Sequence, residues 1–164
     1  MKRTFRVACI GGTFDLPIHK GHEALLRKAF EKSEFIFIGL VSDDYAWRKG
    51  KRGIESYAKR KGGLVKFLGS AKIQGKRYKI SPLENFFSPE TLDSKPGIEA
   101  IVVSIETLPG ARGINLLRED RDLAPLKIVE IPMVLAKDNQ PISSTRIRAG
   151  EITKDGGIKP PARS

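Results

Sequence analysis

Phe5-Arg6-Val7-Ala8-Cys9-Ile10-Gly11-Gly12-Thr13-Phe14-Asp15 opens on an apolar run that breaks at two glycines. Leu16-Pro17-Ile18-His19-Lys20-Gly21-His22 follows before helical spacing sets in. The run Phe5 to Ile10 is short and nearly continuous, as expected for a strand buried on both faces of a parallel sheet. Gly21 to Lys32 carries Ala24, Leu25, Leu26, Ala29 and Phe30 on one broad face, the pattern of an amphipathic helix. Phe35 to Val41, rich in β-branched and aromatic residues, reads as a second strand. Strand, loop, helix and strand in that order call for a right-handed crossover and a parallel sheet.

The same alternation continues outward. Ser42 to Gly53 is polar and basic, and is expected to be a mobile loop. Glu55 to Leu68 reads as a helix with Tyr57, Leu64, Val65 and Leu68 turned inward. Lys76 to Leu83 is expected as a strand, and Phe86 to Gly97, with two prolines, as a loop. Ala100 to Ile105 is a buried strand, and Leu108 to Asp122 a helix with Ile114, Leu116 and Leu117 apolar. Leu126 to Leu135 supplies a fifth strand interrupted at Pro132. Ser143 to Ala149 is a short closing helix whose hydroxyls offer a cap. Alternating strands and helices imply an α/β fold: a doubly wound, mainly parallel five-stranded sheet with helices on both faces. In such sheets ligands bind beyond the carboxyl ends of the strands. Residues 1–150 are expected to form one domain, and 151–164, with Gly156-Gly157 and Pro160-Pro161, a mobile tail.

The length of 164 residues suits a single domain with a sizeable core. Thirty Lys and Arg against 19 Asp and Glu give a net charge of +11, which favours anionic partners without choosing among nucleic acid, membrane and phosphorylated small molecules. Aromatics at 7 % and the scatter of basic residues along the chain argue against a nucleic-acid-binding module. No run approaches the ~18 apolar residues of a membrane span. Cys9 is the only cysteine and lies in the opening apolar run, so no intramolecular disulfide forms. A cytoplasmic location is expected from that thiol and from the lack of a signal-peptide pattern.

Two constellations carry chemistry. In the first, Gly11 and Gly12 allow a tight turn and close approach of a phosphate to the backbone. His19 and His22, three apart at a helix start, lie on one side and can donate hydrogen bonds to phosphate oxygens. The chain has only these two histidines, so a zinc site is not expected, and no P-loop or G-x-G-x-x-G pattern occurs. In the second, Ser143, Ser144 and Thr145 precede Arg146 and Arg148, a candidate phosphate cradle at a helix N-terminus. A glycine turn with capping histidines, and a capped helix with exposed arginines, are the plainer alternatives.

Taken together, Gly-Gly-Thr-Phe-Asp with His-x-Gly-His, and Ile142-Ser143-Ser144-Thr145-Arg146-Ile147-Arg148, resemble the nucleotidyltransferase superfamily. Its members include phosphopantetheine, nicotinamide-mononucleotide, glycerol-phosphate and FMN nucleotidyltransferases. Over residues 4–150 the chain is similar to the phosphopantetheine adenylyltransferases of the archaeal and eukaryotic type. Val41-Ser42-Asp43-Asp44, Tyr57-Ala58-Lys59-Arg60, Val65-Lys66-Phe67-Leu68, Val103-Ser104-Ile105-Glu106-Thr107 and Ile114-Asn115 carry that likeness. One departure stands out: the superfamily places two residues between the Asp and the first His, whereas Leu16-Pro17-Ile18 are three, so the loop must bulge.

The resemblance implies a Rossmann-like nucleotidyltransferase that moves AMP from ATP to 4′-phosphopantetheine, giving dephospho-coenzyme A and pyrophosphate, with Mg²⁺ accompanying the triphosphate. It assigns His22 and His19 to the ATP phosphates, with His22 stabilising the transition state. Gly12, Thr13 and the Phe14 N–H would hold the reacting phosphates. Ser143, Ser144 and Thr145 would bind the triphosphate, and Arg148 and Arg146 would neutralise charge. Lys49 would orient the acceptor phosphate, with Arg48 and Lys51 as rivals, and Arg112 would lie near the adenylate. Small-molecule substrates are the implied partners, with neither nucleic acid nor membrane, and a homo-oligomer is compatible with a family whose members differ in assembly.

Overall fold

β1 (Phe5–Gly12) occupies the middle of the sheet because both of its faces are covered. Ala8 and Ile10 face one side, and Val7 and Cys9 the other. The computed structural model describes residues 2–161 and 163. After β1 come α1 (Lys20–Lys32), β2 (Ser33–Val41), α2 (Asp43–Arg48), α3 (Tyr57–Ser70), β3 (Tyr78–Leu83), β4 (Ala100–Val103), α4 (Leu108–Glu119), β5 (Lys127–Glu130) and α5 (Ser144–Arg148). The five strands are parallel in the order β3-β2-β1-β4-β5. On one face Ile36, Ile38, Leu40, Ala100 and Val102 pack with Leu26, Ala29 and Phe30 of α1 and Leu64 and Leu68 of α3. On the other, Ile101 and Val103 pack with Leu108, Ala111 and Ile114 of α4. The expected doubly wound sheet is thus observed, and its strand order reverses at β1, the place where sheets of this kind bind ligands.

Several expectations need correction. Residues 42–53 are not all loop. Ser42 Oγ accepts from Tyr45 N–H at 3.0 Å, Asp43 and Asp44 sit in the first turn and Arg48 in the last, so α2 is capped and favourably charged at both ends. Val65 is exposed, because the inward stripe of α3 runs through Tyr57, Arg60, Leu64 and Leu68. β5 stops at Glu130, short of the expected Leu135; Pro132 lacks the N–H a ladder needs.

The segment expected as a mobile tail folds back onto the domain through residue 159. Ile152 is 0 % exposed and packs with Ala136 and Ile142, and it bridges Ile158 antiparallel. Gly156, at φ 84°, makes the turn between them; a Cβ there would come within 2.9 Å of Ile142 and 3.0 Å of the Ala136 Cα. Lys20 N–H donates to Lys154 C=O at 3.0 Å, tying this segment to the start of α1. Ile152→Ala is expected to lower unfolding free energy by about 2–5 kcal/mol, read from the midpoint of a urea titration at constant slope.

Candidate active site

The site is built where β1 hands over to α1. Phe14 turns the chain at φ 47° and buries its ring, and a Cβ on Gly12 would come within 3.0 Å of that ring. A side chain at position 12 would therefore press on the Phe14 ring, and glycine leaves that ring its room. His19, in extended conformation, is the N-cap of α1. Its Nδ1 accepts from Gly21 N–H at 3.0 Å and His22 N–H at 3.3 Å. His22 Nδ1 accepts in return from His19 N–H at 3.4 Å. The result is a capping box made of two imidazoles. The rings stack with centroids 3.7 Å apart and 17° between planes.

This arrangement fixes the tautomers. A neutral imidazole carries one N–H, and both Nδ1 atoms are committed as acceptors, so each ring keeps its proton on Nε2. Burial lowers the His19 pKa to about 4, partly offset by its backbone hydrogen bond. Burial, then the charges of His19 and Lys51, lower that of His22 to about 3. The site therefore presents two neutral Nε2–H donors at pH 7.

The linkage has a definite sign. Both folded values lie below the ordinary 6.5, so on acidification the unfolded chain takes up protons first. This contribution to stability is complete above about pH 6.5 and falls as pH drops toward about 4 for His19 and about 3 for His22. The melting temperature is expected to decline across that window in wild type and to decline less in His19→Asn.

The second constellation comes to the first. Asp15, 2 % exposed, accepts from Glu55 N–H at 3.0 Å and pairs through its other oxygen with Arg148 of α5. Ser143 Oγ caps α5 by accepting from Arg146 N–H at 3.2 Å. The missing Cβ of Gly21 would lie 3.9 Å from Ile142 C=O, so the starts of α1 and α5 adjoin. The extra residue ahead of His19 is absorbed sideways: Leu16 lies against Gly63 of α3, where a Cβ would come within 2.3 Å of its methyl.

The loop after α2 supplies cations, and their partners sort them. Arg48 is bound to Asp44 at 3.0 Å and to Glu84 C=O at 2.7 Å. Arg52 stacks on Trp47 at 3.3 Å, and the Lys49 ammonium sits 5.2 Å from the Tyr45 ring centroid. The charge of Lys51 is felt at His22, and those of Arg148 and Asp15 are felt at Lys51. Partial desolvation first, and then neighbouring Lys49, lower its pKa.

A sequence model of cytidylyltransferase-like proteins matches residues 9–150. The phosphopantetheine adenylyltransferase of Methanothermobacter thermautotrophicus is 43 % identical over 158 residues, covering 96 % of this chain and 92 % of that protein. The enzyme of the same name from Pyrococcus furiosus is 43 % identical over 157 residues, covering 95 % of each. The chain belongs to the phosphopantetheine adenylyltransferases, within the cytidylyltransferase-like family. A solved Archaeoglobus fulgidus protein of unknown function superposes with a TM-score of 0.65 at 31 % identity, over 77 % of this chain and 89 % of that one.

In this adenylyltransferase the structure joins Gly12, Phe14, His22 and His19 through ring contacts and brings Arg148 to the same turn through Asp15, with Ser143 and Ser144 at the adjoining helix start. It does not bring Arg146 to them as a free cation. Arg146 pairs with Asp138 and, at 2.9 Å, with Glu151, and donates to Pro141 C=O at 3.0 Å. Its guanidinium fastens the segment after α5. Arg112 is exposed on α4, beside Asn115 and Leu116, and among the described residues no hydrogen bond or ion pair joins it to the histidines. Sequence reasoning passed over Gly21 as more than a spacer and gave Arg60 no role. Arg60 falls four residues before Leu64 in a stripe of buried positions, a signal that was present.

Proposed function

We propose that the chain transfers AMP from ATP to 4′-phosphopantetheine, giving dephospho-coenzyme A and pyrophosphate. The observation that carries this reading is the Asp15–Arg148 pair, which joins the two end motifs of a family whose 43 % identical relatives bear that activity's name. An oxygen of the acceptor phosphate attacks the α-phosphorus of ATP in line. As that bond forms, the bond from the α-phosphorus to the bridging oxygen breaks and pyrophosphate leaves with the electron pair. No covalent enzyme intermediate is formed, and protein work is positioning and charge stabilisation.

In this scheme His22 and His19 donate Nε2–H to ATP phosphate oxygens. Thr13 and the Phe14 N–H hold the reacting phosphates, and Ser143, Ser144 and Thr145 receive the triphosphate. Arg148, already anchored by Asp15, faces the charge that builds up on the leaving group. Among the described residues no group of three or more His, Cys, Asp and Glu could hold a metal, and Asp15 is already bonded to Arg148 and Glu55 N–H. The donor set does not build a resident metal site, so Mg²⁺ enters with ATP, held by phosphates and water. We place the reaction in the cytoplasm; among the described residues no helix is long and apolar enough to cross a membrane.

For the acceptor phosphate Lys51 is favoured over Lys49, whose ammonium stands over the Tyr45 ring at 5.2 Å. Loss of one hydrogen bond to a charged group costs about 1.5–3 kcal/mol, or roughly 10–150-fold. Lys51→Ala is expected to raise the acceptor KM by at least about 10-fold, and Lys49→Ala by less, in steady-state kinetics at saturating ATP. The reading as a whole is tested by pyrophosphate release with ATP, Mg²⁺ and 4′-phosphopantetheine, set against FMN, nicotinamide mononucleotide and glycerol phosphate, and against CTP as donor. Turnover is expected to be at least tenfold higher with ATP and 4′-phosphopantetheine; equal or faster turnover of another pair would overturn it.

A further inference from the structure

We infer that Arg60 is a positioning residue that sets the glycine turn and the basic loop at their working distance from each other. The inference rests on the function proposed above. Arg60 lies on α3 with its side chain fully buried, heading a stripe that continues as Leu64 and Leu68. Its guanidinium donates to three separate segments: Nε to Glu55 C=O at 2.8 Å, Nη1 to Thr13 C=O at 2.7 Å and Nη2 to Asp43 Oδ1 at 3.0 Å. Two of these segments are tied again behind it. Asp43 accepts from Tyr57 N–H at 2.8 Å, and Glu55 N–H donates to Asp15 at 3.0 Å.

A closed ring of bonds results. Thr13 and Asp15 stand on one side, beside the histidines and Arg148. Asp43 stands on the other, at the start of the helix that leads into Lys49 and Lys51. The planar fork of a guanidinium holds its acceptors at fixed angles, which a single ammonium cannot reproduce. Burying such a group is a poor way to gain stability, because an apolar side chain of similar volume in that stripe is often neutral or better. What the guanidinium supplies here is geometry: the phosphate-holding turn and the acceptor-facing loop share one rigid anchor. A misplacement of about 1 Å between reacting groups can lower a rate about 10²-fold.

Arg60→Lys and Arg60→Met test this. kcat is expected to fall about 10²-fold in both, while the dissociation constant of a non-hydrolysable ATP analogue, by calorimetry, changes less than about threefold. Amide exchange in residues 13–15 and 43–56 is expected to rise, with that of β1 and β4 unchanged. Wild-type kcat in either folded variant would overturn the inference, as would exchange confined to α3. Should both variants fail to fold, Asp43→Ala provides the same readouts, since it removes the oxygen that accepts from both Arg60 Nη2 and Tyr57 N–H. Its kcat is expected to drop about tenfold, and an unchanged kcat would again overturn the inference. A wild-type enzyme without turnover sinks the proposed function instead, and the exchange pattern then decides on Arg60 alone.

Discussion

His22→Ala is expected to lower kcat by about 10²–10³-fold, the typical loss when one preorganised donor to developing charge is removed. The reason lies in how the ring is held. His22 Nδ1 is occupied by His19 N–H, and the ring stacks on His19 at 3.7 Å, so Nε2–H points from a fixed frame. Its pKa of about 3 in the free protein keeps it a neutral donor throughout the working pH range. No reorganisation is needed at the moment of reaction. Removing the ring also frees a cap on α1, which costs about 1 kcal/mol of stability. That loss is small enough for the variant to remain folded by circular dichroism. His22→Gln, which keeps a donor at similar reach, is expected to recover part of the rate. A His22→Ala enzyme within tenfold of wild-type kcat would remove this ring from the chemistry.

The fold was largely legible because its signals are burial signals. Ala8 and Ile10 face α1 and α3 while Cys9 faces α4, and a run without polar alternation says as much. The two end motifs were legible as residue types, and the histidines occupy the positions their spacing implied. Less legible was whatever depends on which partner a charge finds. Lys49 and Lys51 are indistinguishable in sequence; a Tyr45 ring lies beside the first, while the second feels the charges of Asp15 and Arg148. Arg146 and Arg148 look alike too, yet Asp138 and Glu151 take the first and Asp15 the second. Arg60 escaped because charge within a helix is read as solvated surface, and its three acceptors come from remote backbone and side-chain atoms. Residues 151–159 escaped for the opposite reason. Gly156-Gly157 was read as slack, whereas Gly156 is the turn that lets Ile152 reach the pocket of Ala136 and Ile142.

Gly21→Ala separates catalysis from folding more sharply than any substitution of a charged group. A Cβ at position 21 would lie 2.9 Å from His19 Cε1, closer than real contacts allow, and 3.1 Å from its Nδ1, a tight approach. The histidine ring must therefore move, and with it the acceptor for the N–H groups of Gly21 and His22. Both imidazoles then lose their frame, because the capping is reciprocal. A loss of about 10²-fold in kcat is expected. Stability should not follow. Alanine in place of glycine is worth at most about 0.8–1.0 kcal/mol, the helix-interior value, at this first-turn position, and the weakened cap costs about 1 kcal/mol. The two nearly cancel, so the melting temperature should stay within a few degrees of wild type. A folded Gly21→Ala protein with wild-type kcat would mean that the His19 ring can leave its place over the helix start without consequence. The glycine of His-x-Gly-His would then be a matter of backbone convenience rather than of room for an imidazole.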